Sequence, residues 1–191
     1  MSDTDSSPRL QTDQQTWVRA AIQTLADAGL DGVKVETLAR QLGVTKGSFY
    51  WHFKDRRALL DAMLEHWRDG RIDDIRGRTQ AAPGGEIAQL LHVIDTYSLV
   101  RNRRGMQVEL AVRDWARHDG AARATLDAVD AIRLECTAAL FRAAGRSADE
   151  AANRSLLLYA YVFGLGMMDS ERDTPRPAET RAFIANLITG G

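Results

Sequence analysis

The stretch 45–53 concentrates the side chains best suited to chemistry. Thr45, Lys46, Gly47 and Ser48 are small or polar in succession, and Tyr50, Trp51 and His52 follow immediately after Phe49. Two hydroxyls and an ammonium can donate hydrogen bonds to phosphates or base edges, and a glycine lets a backbone approach its partner closely. Glycine inside a helix costs about 1 kcal/mol against alanine, so Gly47 either sits in a tolerant first turn or serves such an approach. On a helix of 3.6 residues per turn, Phe49 and Phe53 share one face and pack inward. Tyr50 and at least part of Trp51 and His52 must then project elsewhere, where aromatics with polar tips suit contacts to phosphates and thymine methyl groups.

Nothing else in the chain assembles a catalytic set. There is no HExxH, no phosphate-binding loop and no nucleophile elbow, and the four histidines are dispersed. The single Cys136 can form neither an intrachain disulfide nor a thiolate metal cluster, and reads as a small buried hydrophobe. Gly164 and Gly166 lack the third glycine and the preceding strand of a dinucleotide fold, so they read as helix packing. The chain is expected not to be an enzyme and to need no cofactor or metal.

The elements that must position 45–53 are helices. Thr12 can cap a first helix carrying Trp17, Val18, Ala21, Ile22, Leu25 and Ala28 at helical spacing, with Gly29 at its end. A second short helix runs from about 35 to 42, buries Leu38, Ala39 and Leu42, and meets a turn at Gly43. Thr45 is placed to cap a third helix over 46–53. Asp55 can cap a fourth that carries Leu59, Leu60, Met63, Leu64, Trp67 and Ile72 and fades near Gly77. Two short helices around a glycine turn, the second opening on polar residues, form a helix-turn-helix.

Charge agrees locally and not globally. The 191 residues carry a net charge of -1, which is no footprint of a nucleic-acid binder. Between residues 30 and 58, however, Lys34, Arg40, Lys46, Lys54, Arg56 and Arg57 face only Asp31, Glu36 and Asp55, or 6 − 3 = +3. The basic surface is concentrated where the helix-turn-helix lies.

Beyond the breaker at 81–85 the helical pattern restarts with Ile87, Leu90, Leu91, Ile94 and Tyr97, and it recurs over 106–115, 121–144, 148–168 and 178–188. No segment shows a strand alternation. The expectation is an all-α chain of about nine helices: a flexible tail over 1–11, an N-terminal three-helix helix-turn-helix domain over 12–58 with a linking helix continuing to about 78, and a helical ligand-binding and dimerisation domain over 79–191. No run reaches the roughly 18 apolar residues of a membrane span, and residues 1–15 lack an apolar signal core, so a cytoplasmic location without membrane attachment is expected.

The run from Leu38 to Leu60 resembles the DNA-binding signature of the TetR family of transcriptional regulators, filling nearly every position of A-x-x-L-G-V-[polar]-x-G-[ST]-[apolar]-Y-x-H-F-x-[polar]-[KR]-x-x-L. The resemblance is strong over roughly residues 12–65. It implies a sequence-specific regulator, by family default a ligand-released repressor that binds a palindromic operator as a homodimer, although nothing in the residues excludes an activator. Carried over position by position, it implies that Thr45, Lys46, Gly47 and Ser48 approach bases and phosphates and that Tyr50 donates its hydroxyl to a phosphate. Trp51 and His52 flank it, and Arg56 would take a phosphate at the start of the fourth helix. One departure stands out: the usual Ser or Thr cap of the second helix is replaced here by Val33, Lys34 and Val35. Lys34 either substitutes as a phosphate contact or is an ordinary solvated lysine.

The resemblance also implies a homodimer through about 148–168 and 178–188. The first of these runs is apolar on several sides (Leu156, Leu157, Leu158, Tyr159, Tyr161, Val162, Phe163), as a helix buried all round must be. An unknown small-molecule effector would lie among the fifth to eighth helices. Tyr97, Met106, Leu110, Trp115, Phe141, Tyr159, Phe163 and Met167 are the candidate lining, though each also fits ordinary core packing. Arg101, Arg103 and Arg104 fit an acidic ligand, a domain hinge or a solvated helix end. The competing reading is a helical sequestering protein with a degenerate helix-turn-helix, which would ignore DNA at any salt.

Overall fold

A computed structural model describes residues 12–98, 103–168 and 177–190. Among them are nine α-helices and no strand: α1 (Gln14–Gly32), α2 (Val35–Gln41), α3 (Lys46–Tyr50), α4 (Arg56–Arg78), α5 (Glu86–Ser98), α6 (Arg103–Trp115), α7 (Gly120–Ala143), α8 (Ala148–Met168) and α9 (Ala178–Thr189). None is long and apolar enough to cross a membrane. The tail over 1–11 and Arg101 lie outside the described residues.

Helix starts follow capping chemistry, with one correction. The cap of α1 is Asp13 and not Thr12: the Asp13 carboxylate accepts from the Thr16 backbone N–H and from its hydroxyl, both at 2.7 Å. An ionised acceptor outbids a hydroxyl one residue earlier. Thr45 and Asp55 cap α3 and α4 as their positions suggest, accepting from Ser48 N–H at 3.4 Å and Ala58 N–H at 2.9 Å. Lys34 occupies the cap position of α2 with no side-chain cap hydrogen bond, so the lost serine or threonine is not replaced there.

Gly29 breaks α1 with φ 66°, and regular helix resumes only briefly beyond it. Gly43, at φ 68°, closes α2: its N–H reaches the Arg40 carbonyl at 3.2 Å and the Val44 N–H reaches Ala39 at 2.9 Å. That pair of bonds is a complete Schellman ending, which requires the left-handed residue. The third helix is shorter than its pattern suggests, stopping at Tyr50 and not at Phe53. The His52 N–H bonds Phe49 O at 2.9 Å, three residues back, so the last turn tightens as Phe53 is drawn into the core.

Two buried clusters hold the helices. One joins α1 (Trp17, Val18, Leu25), α2 (Leu38), α3 (Phe49) and α4 (Leu59, Met63, Trp67) to Val112 and Trp115 of α6 and Leu126 and Val129 of α7. The other joins α5 (Leu90, Ile94), α7 (Phe141), α8 (Leu158, Val162) and α9 (Ile188). In the first, Phe49 meets Trp17 edge-on at 5.4 Å and stacks on Phe53 at 5.3 Å, so aromatic contacts fix α3 against α1. Ion pairs reinforce the junctions. Arg104 of α6 bonds the Gln23 carbonyl at 3.1 Å and pairs with Asp27 of α1, while Arg57 of α4 pairs with Asp119, the cap of α7.

Candidate nucleic-acid interface

With Phe49 fully buried, α3 turns its other side outward. Tyr50 is 62% exposed and Trp51 88% exposed, while His52 is half-buried. The Tyr50 ring stands edge-on to Phe49 at 5.2 Å, which steadies it without covering it. Thr45, Lys46 and Gly47 are exposed beside it, and Ser48 is half-buried with its N–H held by the Thr45 carbonyl at 3.0 Å. An alanine Cβ at Gly47 would meet only Thr45 Oγ1, at 3.5 Å, so packing within the chain does not demand glycine there.

The cations are less uniform than their sequence positions suggest. Lys34, Arg40 and Lys54 are exposed. Lys46 pairs with Glu36 of α2, and the Lys46 hydrogen bond holds the Glu36 carboxyl below its ordinary range. Arg56 is the larger surprise. Its Nε donates to Val33 O at 2.7 Å and Nη2 to Leu30 O at 2.9 Å, so the guanidinium ties the start of α4 to the α1–α2 turn. The Leu30 carbonyl also accepts from the Val33 N–H at 3.2 Å, and the arginine adds a second donor there while bonding the Val33 carbonyl at the end of α1. A phosphate could use only the donors that remain.

The structure therefore leaves Thr45, Lys46, Gly47, Tyr50 and Trp51 exposed around the outer side of α3, with Ser48 half-buried among them and Lys34 exposed at the start of α2. Such a face, a helix start with small residues followed by exposed aromatics and flanked by cations, is suited to a nucleic-acid groove.

Comparison with known proteins bears on this face directly. The family profile described as bacterial regulatory proteins, tetR family, matches residues 18–63. The tetracycline repressor protein class A of Escherichia coli is 30% identical over 166 residues, covering 83% of this chain and 68% of the repressor. The chain belongs to the TetR family. Like the family's other members it is a DNA-binding transcription regulator and not an enzyme. The class C tetracycline repressor of the same organism is 48% identical over 48 residues, a match that covers 25% of this chain and 22% of that protein. A transcriptional regulator of Rhodococcus sp. Rha1 shares the fold with a TM-score of 0.74 at 20% identity, covering 94% of this chain and 95% of that one. The TetR arrangement of an N-terminal helix-turn-helix followed by a helical body thus extends over nearly the whole chain.

The candidate effector residues scatter. Met106, Tyr159 and Phe163 border a cleft between α4, α6, α7 and α8, together with Arg71, Glu109 and Arg133. Trp115 and Phe141 are buried in the two separate cores, Leu110 is half-buried, and Met167 is 70% exposed. The Tyr97 side chain lies outside the described residues. Sequence reading missed Arg71, Glu109 and Arg133. A signal existed for the last: Leu126, Val129, Arg133, Thr137 and Leu140 keep the spacing of one buried stripe on α7, and a charge in that register must have a buried partner.

Proposed function

We propose that two copies of this chain bind a palindromic operator, each laying the face of α3 into a major groove, and that a small molecule held in the helical body releases them as a repressor from DNA. The reading takes residues 12–58 as the DNA-binding domain, the rest of α4 to about residue 78 as the link, and 79–191 as the effector and dimer domain, in a protein acting in the cytoplasm. Lys34, Thr45, Lys46, Gly47, Ser48, Tyr50, Trp51 and His52 are the proposed DNA contacts. Arg56 acts chiefly as a brace and only secondarily on a phosphate. The observation that carries the reading is the exposure of Tyr50 and Trp51 on a helix whose other side is fixed by Phe49. An 88% exposed tryptophan earns nothing for the isolated chain, and a groove gives it a partner.

The dimer rests on α8 and α9. Leu156, Leu157, Met167 and Met168 of α8 and Phe183 and Leu187 of α9 are all exposed large hydrophobics, and a self-complementary pairing of this face in a second copy would cover them. Selection of bound duplexes from a random pool tests the whole reading. The enriched site is expected to be an inverted repeat with half-sites about one helical turn, roughly 34 to 36 Å, apart. Affinity should fall steeply as salt rises. Enrichment of a single unrepeated site, or of no duplex at all, defeats it.

A further inference from the structure

The cleft between α4, α6, α7 and α8 contains a buried ionic cluster that no DNA contact requires. Glu109 of α6 is 3% exposed and Arg133 of α7 is 2% exposed. Arg133 Nη1 and Nη2 donate to Glu109 Oε1 and Oε2, both at 3.0 Å, so the end-on fork of the guanidinium is filled by that carboxylate. Arg113 adds bonds to Glu109 Oε1 at 3.0 and 3.2 Å, and Asp130 accepts from Arg113 at 2.7 and 2.9 Å and from Arg133 Nη1 at 2.5 Å. The Arg113 guanidinium lies over the Phe163 ring, 3.9 Å from its centroid. Burial draws the Arg133 pKa down, but Glu109 and Asp130 carry it above its ordinary value, so the group stays charged.

The hydrogen bonding is lopsided. All four carboxylate oxygens of Glu109 and Asp130 accept, whereas Arg133 Nε is buried without a partner. Nε–H and the second hydrogen of Nη2 form the side-on fork of a guanidinium, whose natural complement is a second carboxylate. A buried ion pair is also a poor way merely to fasten two helices, since apolar residues of similar volume hold at least as well. Surplus donors in a cleft bordered by Met106, Tyr159 and Phe163 ask for an acceptor attached to an apolar body.

Building on the effector-release reading above, we infer that this cleft is the effector site and that its ligand is a compact organic acid, the carboxylate docked on the side-on fork of Arg133 and the apolar part against Met106, Tyr159 and Phe163. As it stands the cleft has room for about one water molecule, so entry requires a shift of its lining. Met106 is the adaptable wall: it lies so close over Gly166 that a Cβ there would come within 2.5 Å of its sulfur, and its unbranched side chain can move. Arg71 carries the site to α4, fifteen residues and about 22 Å of helix from Arg56.

Calorimetric titration and thermal unfolding of the full chain with benzoate and phenylacetate, against the isosteric benzamide and the cationic benzamidine, test the assignment. The acids are expected to bind saturably and raise Tm, the amide and amidine at least tenfold more weakly. The paired substitution Arg133→Gln with Glu109→Gln keeps neutral hydrogen-bonding groups in place and should abolish the preference for acids. Equal binding of benzamide, unchanged benzoate binding by the folded variant, or no binding of either acid overturns the proposal. Should the variant not fold, the wild-type Arg133 Nε–H resonance decides, since it must move with benzoate and stay with benzamide. Duplex release is read separately. Acid binding without release leaves the acid site standing and sinks ligand-released repression, whereas release by the amidine alone does the reverse.

Discussion

Trp51, at the end of α3, and Asp119, the cap of α7, show what single residues contribute. Trp51 touches little of its own chain, so Trp51→Ala should leave stability within about 0.5 kcal/mol of the parent. Operator affinity should nevertheless fall by tenfold or more, because an exposed aromatic at a groove is the type of contact that carries binding. Fluorescence anisotropy on the selected duplex, beside a thermal melt, separates the two effects; a lowered Tm with intact affinity would make Trp51 structural. Asp119 answers to pH. The backbone N–H of Ala122, then the hydrogen bond from Arg57, hold its carboxyl below the ordinary 3.8. A carboxylate whose folded pKa is depressed stabilises fully above its unfolded value and loses that contribution as pH falls through the folded one. Asp27, held down by Arg104, acts in the same direction. Tm should therefore decline below about pH 4. In Asp119→Asn, which keeps a capping side chain but no charge, that decline should be shallower and Tm at pH 7 lower. A calorimetric series from pH 7 to pH 3 checks both, and identical curves would mean that the Arg57 pair contributes nothing. At this scale sequence reading had mixed reach. Thr45, Gly47 and Tyr50 could be picked out because their types are unusual for their places. The two carbonyls held by Arg56 and the partner of Lys46 could not, because both depend on how α1 and α2 are oriented in space.

Among the elements, α3 is where local stability and function pull in opposite directions. It is only five residues long, capped by a 3.4 Å hydrogen bond and held mainly by Phe49. A helix this short does not persist alone. Gly47→Ala should strengthen it by up to about 1 kcal/mol, since the new methyl would meet nothing nearer than 3.5 Å. The same methyl stands on the outer face, so DNA binding should weaken as Tm rises. Opposite signs are the informative result: if affinity is kept along with the gain in Tm, no close approach occurs at residue 47. The helices themselves were legible because apolar spacing coincided with capping residues and turn glycines, as for α2, which closes at Gly43, and α4, which Asp55 caps. The end of α3 was misjudged for a physical reason. Phe49 and Phe53 satisfy a helical period, and they satisfy equally well a tightened turn that delivers Phe53 to the same core.

For the molecule as a whole, the decisive question is what covers α8 and α9. Phe183 is 65% exposed and Leu156 60% exposed, and fully burying such a side chain is worth roughly 1.5 to 3 kcal/mol. Several of them on one face exceed what an isolated chain ordinarily leaves to water. The paired substitution Leu156→Glu with Phe183→Glu puts charges where both side chains already contact solvent, so the single chain should keep its fold. Sedimentation should then show a monomer, against the dimer proposed for the parent. Because two reading heads joined in one particle engage both half-sites at a high effective concentration, the monomer should lose operator affinity by a hundredfold or more. A variant that stays dimeric places the interface elsewhere. A monomer that binds the operator as tightly as the parent would mean that one head suffices, and the inverted repeat would then have no role in recognition.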